Sequence, residues 1–145
     1  MKKSLMEGVY MEESVTISLW FTGDEIPLEQ ITFILGIEPT RMRKKAEWPI
    51  QSEYTCDEWG FSLEEKECAD VEILFQKFIK IFETKAELIK KICSDYNCKV
   101  SIIVVIYMEN SSQPYTCLST NTIAFLHLIG AELTFDIYGY DDIEP

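Results

Sequence analysis

Between Ser14 and Thr22 the chain alternates strictly. Val15, Ile17, Leu19 and Phe21 fall on one face of an extended segment, and Thr16, Ser18 and Trp20 fall on the other. A period of two with β-branched residues predicts a strand with one well-buried face. Gly23-Asp24-Glu25 reads as a turn. Pro27 suits the first turn of a helix whose stripe is Leu28, Ile31, Ile34 and Leu35, and Gly36 is placed to close it in the left-handed conformation. Trp59, Phe61 and Leu63 alternate with Gly60 and Ser62, which predicts a strand over roughly 53–63, with a further short extended piece near Trp48. From Asp70 the period becomes helical. Val71, Leu74, Phe75, Phe78 and Phe82 predict a helix over 70–82. Thr84 followed by Glu87 has capping-box spacing and opens a second helix, 85–96, with a turn residue at Asn97. Val100 to Tyr107 is apolar on both faces after Ser101, as for a strand in mid-sheet covered on both sides for much of its length. A polar loop, Glu109 to Tyr115, precedes a helix capped by Ser119 or Thr120 that runs to Ile129 and closes at Gly130. Leu133, Phe135 and Ile137 alternate as a last strand, and Asp141 to Pro145 is an acidic tail expected to fray.

The order strand–helix–strand, helix pair, strand–helix–strand implies an α+β fold. The expected sheet has four to five strands, mixed or antiparallel, with about four helices. The two βαβ halves would be ferredoxin-like and joined by the helix pair, with the first and third strands central. The stretch Ile34-Leu35-Gly36-Ile37-Glu38-Pro39-Thr40 faintly echoes Leu128-Ile129-Gly130-Ala131-Glu132-Leu133-Thr134.

The early amphipathic strand, Leu35-Gly36-Ile37-Glu38-Pro39-Thr40-Arg41, Trp48, the Val104-Val105-Ile106-Tyr107 strand and the ending Gly130-Ala131-Glu132-Leu133 with Asp136-Ile137-Tyr138 form a combination. It resembles the bacterial domain-of-unknown-function family numbered 4279, from about Ser14 to Tyr138. The resemblance implies a small bacterial cytosolic protein of one domain and supplies no catalytic residues. By analogy alone, some small acidic bacterial domains are immunity proteins.

Length and composition narrow the classes. The 145 residues fit one domain, with its core at about 14–138, and the chain is large enough to fold without a metal or disulfide. The net charge of −12 disfavours nucleic acid and anionic membranes and suits a basic partner. No signal-like segment or spanning stretch is evident, so a cytoplasmic location is expected. The five cysteines are odd in number and unpaired by spacing, and are expected as free thiols with no metal or cofactor. A Ser or Cys triad would have to use His127, which is the single histidine and falls inside a predicted helix. Neighbouring acids such as Asp57-Glu58 point to opposite strand faces and do not converge. Catalysis is therefore unsupported.

Binding surfaces remain. Arg41, Arg43, Lys44 and Lys45 form one basic island, near Trp48. It reads either as an anion site or as a loop paired with the acidic segment that follows. That segment, 47–72, holds nine acids and one base and carries Tyr54, Cys56 and Trp59, which suits a basic protein partner. Trp20, Tyr138 and Tyr107 project from the polar strand faces, as one patch or as core under a helix. The readings are a non-catalytic binding module, immunity-type in one version; a small-molecule or enzymatic pocket near Trp20, Arg41, Arg43 and Trp48; and a homodimer across an exposed sheet face.

Overall fold

The computed structural model describes residues 13–68, 70–109 and 114–139. The elements are β1 (Ser14–Gly23), α1 (Leu28–Leu35), β2 (Arg41–Arg43), a 3-10 turn (Lys45–Glu47), β3 (Asp57–Lys66) and α2 (Val71–Phe82). A second 3-10 turn (Glu83–Lys85), α3 (Ala86–Tyr96), β4 (Lys99–Met108), α4 (Thr120–Ile129) and β5 (Glu132–Gly139) follow. The acidic tail lies outside the described residues, as does most of the polar loop after Glu109.

The architecture is α+β around a mixed five-stranded sheet of order β2-β3-β1-β4-β5. β1 pairs antiparallel with β3 and β4, β2 pairs antiparallel with β3, and β4 and β5 are parallel. β1 and β4 are interior, as the pattern predicts. The ferredoxin-like interleaving is not what forms. The return strand of the first half is the three-residue β2, cut from the basic island, and β3 turns back to insert between β2 and β1. The second half is a βαβ unit whose strands are direct neighbours. Burial gives the reason. β3 brings Trp59 fully buried and Phe61 and Leu63 packed on the core, whereas Met42 of β2 is exposed, so β3 competes better for the place beside β1.

One face of the sheet holds the core. Ile17, Leu19 and Phe21 of β1 lie beside Leu63, Phe61 and Trp59 of β3 and beside Val104, Ile102 and Val100 of β4. Phe75, Phe78 and Phe82 of α2 close on them, with Phe61 edge-on to Phe82 at 5.5 Å. Trp59 meets Phe21 edge-on at 5.6 Å, and its indole N–H donates to Thr32 Oγ1 of α1 at 2.9 Å. Each such buried aromatic contributes on the order of 2–3 kcal/mol. Trp59 is therefore core, which corrects its reading as a partner contact.

Among the described residues, helices cover one side of β4. Val100, Ile102, Val104 and Ile106 are buried, while Ile103, Val105 and Tyr107 on the other face are half-buried with no described helix over them.

Two boundaries move. Glu53 to Cys56 is loop, because Thr55 turns back onto Ser52 O through its N–H and hydroxyl, so β3 begins at Asp57. Near Trp48 there is a loop after the 3-10 turn, and the extended piece is β2. Thr84 caps nothing. It sits inside the second 3-10 turn, and the backbone stays helical at Glu83 and Ala86, so α3 starts without a side-chain cap. Gly36, Gly130 and Asn97 close α1, α4 and α3 in the left-handed conformation, as their positions imply.

Candidate functional site

With the described helices packed on one face, the opposite face of the sheet, called the open face below because no described helix lies on it, collects the polar strand positions. One row crosses all five strands: Arg41, Gly60, Trp20, Ser101, Glu132. The Trp20 ring lies across Gly60. A Cβ placed there would stand 2.2 Å from the ring, so only glycine lets the indole lie down on β3. In the next row the Ser18 and Ser62 hydroxyls share a hydrogen bond of 2.7 Å. At the far end Tyr107 and Tyr138 stack with ring centres 5.1 Å apart, and Tyr138 remains about half exposed.

The basic island borders this face through β2. Arg41 Nε lies 3.5 Å and Arg43 Nε 4.0 Å from the Glu58 carboxylate on β3. The Arg43 guanidinium sits over the Trp48 ring at 4.7 Å, and the Trp48 indole N–H donates to Cys56 O at 2.8 Å, which fixes the loop. Lys44 and Lys45 turn away, toward Asp57. That buried carboxylate accepts from Lys45 N at 2.7 Å, Ile26 N at 3.0 Å and Lys44 Nζ at 3.2 Å. Burial alone would raise its pKa, but these donors outweigh it and hold the acid below its ordinary value. Lys45 Nζ pairs with Asp24 at 3.2 Å. All four bases of the island are thus in ion pairs, three of them with the acidic segment.

That segment is spent largely on the fold. Asp57 and Glu58 hold the island, and Glu65 pairs with Lys77 of α2 at 3.3 Å. Glu72 accepts from Ser119 N at 3.1 Å, from the buried Thr122 hydroxyl at 3.0 Å and from the Gln76 amide, so it anchors the start of α4. Burial opposes ionisation of Glu72, and these donors again outweigh it and lower its pKa. Tyr54 is exposed in the loop before β3, on its own, while Trp59 is in the core.

Of the residues singled out from sequence, Trp20, Arg41, Arg43 and Tyr138 therefore share the open face, with Trp48 at its β2 border. Tyr54 and Trp59 do not join them. Sequence reasoning missed Gly60, Glu58, Lys99 and Glu132, whose places depend on strand register. A small residue beside a tryptophan on a neighbouring strand gives no signal until the pairing is known.

A family model for a domain of unknown function, DUF4279, matches residues 13–140, a span that takes in the whole sheet. The chain belongs to the DUF4279 family. No match to it was found among curated proteins or among solved structures. Clefts in this DUF4279 domain lie at Asp24–Pro27 with Lys44–Ala46, between α1 and β2, and beside Cys93, Cys98 and Lys99; Arg43 lines the second, and none of the three takes in Trp20, Arg41 or Trp48. Among the described residues no group of three or more His, Cys, Asp or Glu is placed to hold a metal ion. His127 is exposed near the end of α4, and the five cysteines are free thiols. No described helix is long and apolar enough to cross a membrane.

Proposed function

We propose that this DUF4279 protein is a non-catalytic protein-binding module that works through the open face of its sheet. The observation that carries the reading is the five-strand row through Trp20, bordered by the Tyr107–Tyr138 stack and the Arg43–Trp48 pair. Half-buried Trp20, Ile103 and Val105 form an apolar centre, and Arg41, Glu132 and Asp136 form a charged rim, the usual composition of a protein interface. A pleated face is broad and shallow, whereas small-molecule sites are concave, and the clefts described above bypass Trp20. The immunity-type version, with a basic partner held by the 47–72 segment, has less support because Asp57, Glu58, Glu65 and Glu72 already have partners inside the fold.

Affinity capture from the native host tests this, with the tagged full chain as bait. Tyr138→Ala combined with Arg41→Ala should weaken retention of a partner by about tenfold or more, and Tyr54→Ala should leave it unchanged. Retention by the face variant with loss in Tyr54→Ala would overturn the proposal.

A further inference from the structure

The charges on the open face are segregated. Bases lie on the β2 edge, Arg41 and Arg43, and acids on the β5 edge, Glu132 and Asp136. Between them Glu58 and Glu64 of β3 are offset by Lys66 and Lys99 at the ends of β3 and β4. Over the described strand positions the face is balanced, so these positions offer little to a uniformly basic or uniformly acidic partner. It is complementary to its own reversed copy.

We infer that a second copy of the chain covers this face, related by a two-fold axis that runs along β1. The inference rests on the reading of the open face as the binding surface and names its occupant. An axis parallel to the strands lays β2 over the partner's β5 and β3 over its β4, and leaves β1 over β1, with every row at its own height. The register then decides the contacts. Arg41 and Glu132 share a row, so each Arg41 faces the other copy's Glu132. Glu58 and Lys99 share the next row through Thr22, so the other copy's Lys99 comes up to the cluster that Glu58 already forms with Arg41 and Arg43. Each Trp20 ring, laid across Gly60 one strand off the axis, faces the other copy's Ser101, which puts two aromatics close to the centre of the interface, where hot spots cluster. An axis across the strands would instead stack each strand on its own copy, arginines on arginines and β5 carboxylates on β5 carboxylates. Charge therefore selects one of the two arrangements.

The size of the face sets the strength. With about 4.8 Å between strands and roughly 3.3 Å per residue, five strands over about eight rows present some 600 Å² per copy. That lies at the lower end for a specific interface, so the dimer is reversible and concentration-dependent.

Sedimentation equilibrium of the full chain, from micromolar to millimolar protein, tests the arrangement. The wild type should show a monomer–dimer equilibrium that weakens with salt. Arg41→Glu and Glu132→Arg, each placing like charges at two symmetric contacts, should weaken the dimer about tenfold or more apiece. The double exchange should restore it to within a few-fold. Glu53→Arg, an equal charge change in the exposed loop, should leave the equilibrium unmoved. Thermal melting of each variant reads folding separately. A wild type that stays monomeric throughout, single variants that dimerise like the wild type, or a double exchange that restores nothing would each overturn the inference. The capture comparison is scored on other proteins, so a monomeric chain that still binds one through Tyr138 and Arg41 would defeat self-pairing and leave the face reading standing.

Discussion

At the scale of single residues, two carboxylates act as pins. Asp57 ties the β1–α1 turn to the basic island, and Glu72 ties α2 to the start of α4. Truncating Asp57 to Ala strands the N–H groups of Ile26 and Lys45 and leaves the Lys44 ammonium with the Ile26 carbonyl alone. The expected cost is about 2–4 kcal/mol, read as a lower urea midpoint. Both acids have pKa values below their unfolded ones. Their stabilisation is therefore complete above the unfolded carboxylate range of about 4 and is lost as pH falls through the lower folded values. The urea midpoint of the wild type should fall on acidification below about pH 5, and Asp57→Asn should show a shallower fall. None of this was legible in the sequence. Asp57 and Glu72 look like any other acids of the 47–72 run until the fold brings their donors to them.

At the scale of elements, the sequence pattern carries the local structure and leaves the strand pairing open. The alternation at 14–22 and the helical stripe from Val71 to Phe82 each involve neighbours a few residues apart, and both elements form where the pattern puts them. β2 was invisible as a strand because its residues, Arg41, Met42 and Arg43, have neither apolar alternation nor β-branching; only pairing with β3 extends them. The same pairing decides the candidate site. Gly60 reads as a weak point in a strand, yet it is the seat of Trp20. Gly60→Ala should destabilise the fold by about 1–3 kcal/mol by pushing the indole off β3. In a Trp20→Ala background most of that cost should vanish, a coupling that a double-mutant cycle by urea denaturation measures directly. An unchanged cost in that background would show that the ring is not what the alanine meets.

At the scale of the whole molecule, the charge of −12 says less than its placement. Much of the acidic segment works inward, on the basic island and on the helices, and the open face is nearly balanced. The sequence could expose the −12 and the basic island but not which acid each base would meet, since those partners lie on different strands and loops. The position of β1 has one more consequence, for synthesis. The first strand of the sheet to leave the ribosome is its middle strand. One of its edges waits for β3, complete at Lys66, and the other waits for β4, complete only at Met108. A nascent chain that stops short of β4 holds a central strand with a bare hydrogen-bonding edge and half its apolar face uncovered. The loop between β1 and β4 must close before the core is sealed, so the core of this sheet closes only after β4 has been made.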